Sequence, residues 1–184
     1  MTCIVLAATG NIGSQVVQSL KASNENVLAV THDNEKAHSI TGGEVEGVAV
    51  DLKDTDALRD VFRRGKRAFL LVPQAPPTTD TNTEELRTAN SIADAVEGSG
   101  LEKVMVVSTY GAQEGHAIGD LSVLWKFERQ IKATGVAMAV NRGAYYFTNI
   151  DMLIEPAKKG ELSTPFPENL VMPRSTSGMA SLPD

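Results

Sequence analysis

Six short apolar runs recur along the chain, at Cys3–Ala8, Val27–Thr31, Glu46–Val50, Ala68–Val72, Lys103–Ser108 and Ala137–Asn141. Their length and their richness in Val, Leu and Ile suit strands covered on both faces. Between them, apolar positions return every three or four residues. This spacing predicts amphipathic helices over Ile12–Ala22, Asp54–Arg64, Thr83–Glu97 and Leu121–Thr134. The first places Ile12, Val16, Val17 and Leu20 on one face; the second opens on Asp54 as a cap and buries Leu58, Val61 and Phe62. Gly98-Ser99-Gly100 and Thr134-Gly135 stop helices and lead into strands. Strands alternating with helices in this way predict an α/β fold: a doubly wound, mainly parallel sheet in three αβα layers.

The longest irregular internal stretch, Pro73–Asn82, is rich in Pro and Thr and follows a strand. Loops at strand carboxyl ends face the ligand in open α/β sheets. After Asn149 the pattern fades. Ile150–Lys159 has room for one more helix, and Gly160–Asp184, with four of the eight prolines, reads as loop or disordered tail.

With 184 residues, the chain has the size of one domain with a sizeable core. Its net charge of −6 argues against a nucleic-acid or acidic-membrane surface. The basic cluster Arg63-Arg64-Gly65-Lys66-Arg67 reads as a solvated helix end. One cysteine, Cys3, excludes an internal disulfide and the common zinc patterns, so no metal site is expected. Placed in an apolar strand, it reads as a buried, inert thiol. There is no basic leader and no apolar run long enough to span a bilayer. The expectation is a cytoplasmic chain without a membrane partner.

The chemistry concentrates at the end of the first strand. Thr9-Gly10-Asn11-Ile12-Gly13 joins a buried strand directly to a helix. Gly10 lets backbone approach a pyrophosphate, and Gly13 lets the helix pack closely on the strand. The helix N-terminus then offers N–H groups and positive dipole charge. The loop Ala7–Gly13 therefore reads as a dinucleotide phosphate cradle.

The loop resembles the Gly-Ala-Thr-Gly-x-x-Gly segment of the NmrA-like family, a branch of the atypical short-chain dehydrogenase/reductases with a Rossmann-like fold. Three further stretches are similar, in the family's order. Phe69-Leu70-Leu71-Val72-Pro73 and its Pro/Thr loop resemble the fourth strand and the loop that covers the cofactor. Val106-Val107-Ser108-Thr109-Tyr110-Gly111-Ala112 resembles the fifth strand. Lys126-Phe127-Glu128-Arg129 and Asn141-Arg142-Gly143-Ala144-Tyr145-Tyr146-Phe147-Thr148-Asn149 resemble a Lys-x-x-Glu helix and an Arg-Pro-x-x-Phe-x-x-Asn strand. The resemblance implies cofactor contacts from Thr9, Gly10, Asn11, Ile12, Gly13, His32, Lys36, Asp51, Leu52, Val72, Pro73, Gln74, Ser108, Tyr110 and Lys126. It also implies a dinucleotide-binding domain over residues 1–150, with 151–184 as the remnant of a substrate-side region that family members usually extend further.

Two departures matter. Ala7 stands at the tight turn where the family has its first glycine; with a negative φ it fits, and weakened rather than abolished binding is expected. After the second strand, where the family commonly has an Arg for the 2′-phosphate of NADP, this chain has Thr31-His32-Asp33, with Lys36 a turn later. A neutral His32 is a weaker phosphate partner than a guanidinium. Asp33 can instead accept from a ribose hydroxyl, which favours NAD. The resemblance implies NADP; the residues keep NAD open.

Catalysis is less legible. In the wider superfamily a Tyr four residues before a Lys moves the substrate proton, and the Lys lowers its pKa and holds the nicotinamide ribose. Four residues before Lys126 stands Ser122. Lys126 is the one catalytic candidate; on a helix it reads by default as a solvated surface charge, and the resemblance is what implies that it reaches the cofactor. Ser108 falls near the superfamily's catalytic serine, or it simply hydrogen-bonds at a strand end. Tyr110, Tyr145, Tyr146 and Phe147 read as core or pocket wall. Three readings stay open: an NAD(P)H-dependent oxidoreductase passing hydride to a quinone-like or other small acceptor, a non-catalytic NAD(P)(H)-sensing module, and a partial fold whose apolar patches favour a homodimer.

Overall fold

The computed structural model describes residues 1–116, 118–146, 151–160 and 174–175. In chain order the elements are β1 (Thr2–Val5), α1 (Asn11–Ala22), β2 (Asn26–Thr31), α2 (Asn34–Ile40), β3 (Val45–Ala49), α3 (Thr55–Phe62) and β4 (Arg67–Leu70). There follow α4 (Thr81–Val96), β5 (Lys103–Thr109), α5 (Asp120–Ala133), β6 (Ala137–Gly143), β7 (Tyr145–Tyr146), α6 (Asp151–Lys158) and β8 (Arg174–Ser175). The main sheet has the order β3-β2-β1-β4-β5-β6. All of its pairings are parallel, as the alternating sequence pattern predicts. β7 and β8 form a separate parallel pair.

Period-two alternation divides the core between the two sheet faces. Ile4 and Leu6 point to the side covered by α3, α4 and α5, where they join Leu58, Phe62, Ile92 and Phe127. Cys3 and Val5 point to the other side, against Val16 and Leu20 of α1 and alongside Phe69 and Met105. Each such side chain, fully removed from water, contributes about 1.5–3 kcal/mol of burial free energy. α4 packs between α3 and α5.

Three helices are started by aspartates that accept a backbone N–H of the first turn: Asp33 from Lys36, Asp54 from Ala57 and Asp80 from Thr83. α2 escaped the periodicity because it carries no apolar stripe; Ala37 is its one buried residue. The expected strands Cys3–Ala8 and Ala68–Val72 end early, at Val5 and Leu70. After Val5 the backbone still bonds its neighbours, through Leu6 N–H to the Phe69 carbonyl and Ala8 N–H to the Val30 carbonyl. The turn between them closes the strand. It also corrects the expectation for Ala7, whose φ is +50°, not negative.

The basic cluster is a solvated helix end only at Arg63 and Arg64; it runs on into β4, whose first residue, Arg67, is half-buried. Arg63 pairs with Asp60, Arg64 with Glu46, Lys66 with Glu102 and Arg67 with Glu25. The expected helix over Ile150–Lys159 is α6. The expected loop or tail falls largely outside the described residues, as do Phe147, Thr148 and Asn149. Among the described residues, no helix is long and apolar enough to cross a membrane.

Candidate functional site

In this strand order the chain reverses direction of winding between β1 and β4, so their carboxyl ends border an open crevice. The loop after β1 forms one wall. Gly10 N–H donates to the Ala7 carbonyl at 2.9 Å, folding the backbone back just before α1 begins. Gly13 is buried one turn into the helix. A Cβ there would lie 2.2 Å from the Ala7 carbonyl oxygen and 2.8 Å from its carbon, so only glycine allows this approach of helix to turn.

No side chain caps α1, whose N-cap is Gly10. Its first-turn N–H groups therefore stay available, beside an exposed glycine with no side chain over them. That arrangement fits an anionic pyrophosphate. Thr9 is fixed differently, its hydroxyl 3.2 Å from that of Thr31 at the end of β2. Asn11 is exposed and Ile12 half-buried.

The other strands bring further candidates to the same edge of the sheet. His32 and Lys36 are exposed around the start of α2. Asp33 caps that helix, and the Lys36 N–H it accepts holds its carboxyl below the ordinary range. After β3, Asp51 accepts the Lys53 N–H at 2.9 Å beside a half-buried Leu52. After β4, Val72 and Pro73 are half-buried and Gln74 is exposed. At the end of β5, Tyr110 is 65% exposed and tied by its N–H to the Gly143 carbonyl at 2.7 Å.

Ser108 and Lys126 stand apart from that row. Ser108 is buried; its hydroxyl lies near the Glu128 carboxylate without a hydrogen bond of normal geometry. Lys126 sits midway along α5, exposed, with no ion pair or hydrogen bond among the described residues. Ser122, at the position of the missing tyrosine, is buried and donates to the Gly119 carbonyl at 3.0 Å. It is turned back into its own helix rather than toward the crevice. Burial pushes the Tyr146 phenol up, in keeping with a wall residue rather than a proton donor.

Two arrangements were not foreseen from the sequence. Arg142 on β6 grips Glu128 on α5 through two hydrogen bonds. Glu85, buried on α4, accepts the Ala75 N–H at 3.0 Å. Glu128 and Arg142 lie within segments marked by the resemblance, but nothing in their spacing pairs them. Glu85 has no sequence signal beyond an acid on a helix face.

A cavity of about 740 Å³ lies elsewhere. It opens at the amino ends of the strands, against Cys3, Leu20, Arg67, Met105 and Ala139. This is where α1 leaves part of the sheet uncovered, and its lining includes no residue of the turn between β1 and α1.

Residues 7–139 match the sequence model of a family described as NAD(P)H-binding. An NAD(P)H azoreductase of Xenophilus azovorans is 22% identical over 169 residues, which span 91% of this chain and 57% of that protein. A nucleoside-diphosphate-sugar epimerase from Staphylococcus aureus superposes with a TM-score of 0.77 at 16% identity, over 90% of this chain and 58% of the other. Citrobacter sp. triphenylmethane reductase, complexed with NADP(H), superposes with a TM-score of 0.71 at 20% identity, over 86% and 53%. The chain thus spans little more than half the length of these relatives. The NmrA-like, atypical short-chain dehydrogenase/reductase resemblance agrees with these matches.

Proposed function

This chain belongs to the NAD(P)H-binding family, and from that membership we propose that it is an NAD(P)H-dependent oxidoreductase acting on a small, quinone-like acceptor. The observation that carries the reading is the contact of Gly13 with the Ala7 turn, under an uncapped helix N-terminus at the switch point. Thr9–Gly13 would hold the pyrophosphate, Asp51 and Leu52 the adenine end, and Val72–Gln74 with Tyr110 the nicotinamide end. Lys126 would reach the nicotinamide ribose. When bound, the nicotinamide supplies a hydride. The chain's own part is to orient it and to shape the acceptor's place. Names among the relatives, an azoreductase and a triphenylmethane reductase, support conjugated aromatic acceptors.

NADP is the proposed form. Asp33 is already engaged at the start of α2, which weakens the case for a ribose contact, while His32 and Lys36 are exposed beside it. His32→Arg is expected to tighten NADPH roughly tenfold over NADH by adding a bidentate phosphate contact. Calorimetric titration with NADPH, NADP, NADH and NAD, followed by NAD(P)H oxidation against quinones and azo dyes, tests the whole reading. Tight binding with a blank across every acceptor sinks the enzyme.

The hydroxyl of Ser122, tied to Gly119, favours a second reading, a cofactor-sensing module without turnover. It requires different affinities for the oxidised and reduced forms. Equal affinities leave nothing to sense. Either reading places residues 1–150 as the dinucleotide-binding part and 151–184 on the substrate side. Either is compatible with a cytoplasmic chain, and a homodimer through the uncovered sheet face is open to a sedimentation test.

A further inference from the structure

At the end of the sheet away from the crevice, the strand register brings two cations together over an apolar hollow. Cys3, Arg67, Lys103 and Ala137 are successive partners across β1, β4, β5 and β6. Their side chains therefore stand in one row on the α1 side of the sheet. The next row on that side is Val5, Phe69, Met105 and Ala139. On this side α1 and α2 lie against β1, β2 and β3. The amino ends of β5 and β6 stay open, with Lys103, Ala137 and Ala139 exposed. Here lies the cavity of about 740 Å³, with Leu20, Met105 and Ala139 among its apolar lining and Arg67 and Lys103 among its polar lining.

The charge left unbalanced at this rim is positive. Glu25 takes one N–H of Arg67, from Nη2 at 2.9 Å. The Arg67 Nε is buried and has no acceptor. Lys103 has no ion pair among the described residues, and its neighbour Glu102 is held by Lys66. Ser19 and Ser23, on the α1 side of the hollow, donate their hydroxyl protons to the Gln15 and Ser19 carbonyls. Like charges at directly paired strand positions repel, and one carboxylate here answers two cations. An orphaned donor and an unpaired ammonium beside an apolar hollow call for a ligand with one anionic acceptor and an apolar body. The volume lies within the range of small-molecule sites, roughly 300–1,000 Å³.

We propose that this hollow is a second small-molecule site, taking an amphipathic monoanion whose carboxylate lies between Arg67 and Lys103 and whose hydrocarbon body covers Leu20, Met105 and Ala139. The site is independent of the crevice, because the turn between β1 and α1 lies at the opposite ends of the strands. Burial of the hydrocarbon supplies the affinity. Lys103 selects the charge, since Glu25 already balances Arg67. The bound carboxylate also screens the two cations from each other, so the ligand stabilises a row of the sheet that is otherwise self-repelling.

Octanoate is the probe and octan-1-ol its uncharged counterpart, each titrated calorimetrically into the full chain. Octanoate should bind saturably, one per chain, and roughly three- to tenfold tighter than octan-1-ol. Lys103→Gln should weaken octanoate by about the same factor and leave octan-1-ol unchanged. It should melt no lower than wild type, because it relieves the repulsion with Arg67. Ala139→Phe fills the hollow from an exposed position and should abolish both bindings. Saturating NADPH should leave octanoate affinity unchanged. Absence of saturable octanoate binding overturns the proposal, as does equal weakening of both probes by Lys103→Gln. Displacement of octanoate by NADPH puts the probe in the crevice and overturns it too. A wild-type chain that sediments as a dimer, dissociated by Ala139→Phe, assigns the face to a second copy and has the same consequence.

Discussion

Arg142 and Glu128 form a two-pronged ion pair, with Nε 2.9 Å from Oε1 and Nη2 2.7 Å from Oε2. It ties the edge strand β6 to α5, and it is lopsided: the Glu128 side chain is 10% exposed, the Arg142 side chain 49%. Burial alone would push the Glu128 carboxyl up; the Arg142 guanidinium, with the Ser108 hydroxyl, holds it below the ordinary range.

Arg142→Leu should therefore leave a buried carboxylate without its partner and lower the melting temperature by roughly 2–6 °C. Arg142→Lys, which keeps the charge but not the fork, should fall between that variant and wild type. Glu128's folded value is depressed, so its contribution is present above the ordinary carboxylate range and is lost as pH falls through the folded value. In Arg142→Leu that acid-side loss should shrink, as melting at falling pH will show.

Gly13→Ala should be among the most damaging single-atom-scale changes in the chain. Its Cβ would sit 2.2 Å from the Ala7 carbonyl oxygen, which is backbone and cannot swing away. Overpacking of this kind costs about 1–3 kcal/mol even where neighbours relax. Urea denaturation should show that loss, and dinucleotide titration should show binding abolished or nearly so. Gly10→Ala meets the same oxygen at 3.3 Å and should fold much better.

Ala7→Gly should stabilise the protein. With φ at +50°, Ala7 holds a left-handed conformation that costs an L-residue roughly 1–2 kcal/mol. Glycine removes that cost but loosens the unfolded chain, returning about 0.4–1 kcal/mol. The net expectation is a gain of about 0.5–1 kcal/mol, read as a higher melting temperature. The same turn presents the phosphate loop, so NADPH affinity should rise as well.

Cys3 should resist thiol reagents in the native protein and react on unfolding. It is buried in the strand, and that burial pushes its thiol up to about 11, with Arg67 pulling it down a little. Reaction with a chromogenic disulfide at neutral pH should be slow without denaturant and rapid with it. Because the folded value is raised, stability should decline on the alkaline side, from about 9 in the unfolded chain toward about 11. Cys3→Ser should not show that alkaline decline.

The strand–helix alternation was legible because burial on both sheet faces leaves a strong trace: unbroken runs such as Val104–Val107 have no other economical home. The glycine pair was legible for a similar reason, since only the lack of a Cβ meets the need at Gly13. α2 left no such trace, being polar on nearly every side. The φ of Ala7 could not be read either. Alanine ordinarily avoids the left-handed region, and the pairing of Leu6 and Ala8 with strands on opposite sides imposes the turn.

What the sequence determined by itself is the layered α/β architecture, the glycine-bearing turn between β1 and α1 and the family. These follow from local periodicity and from residue types whose geometry admits few substitutes. Only the tertiary structure decided which polar groups meet. Glu128 finds Arg142 across a helix–strand contact, Glu85 finds Ala75 in the loop before its own helix, and Ser122 turns to Gly119. Such meetings depend on the distances between elements once packed, and a burial pattern that repeats every two or every 3.6 residues carries no record of them.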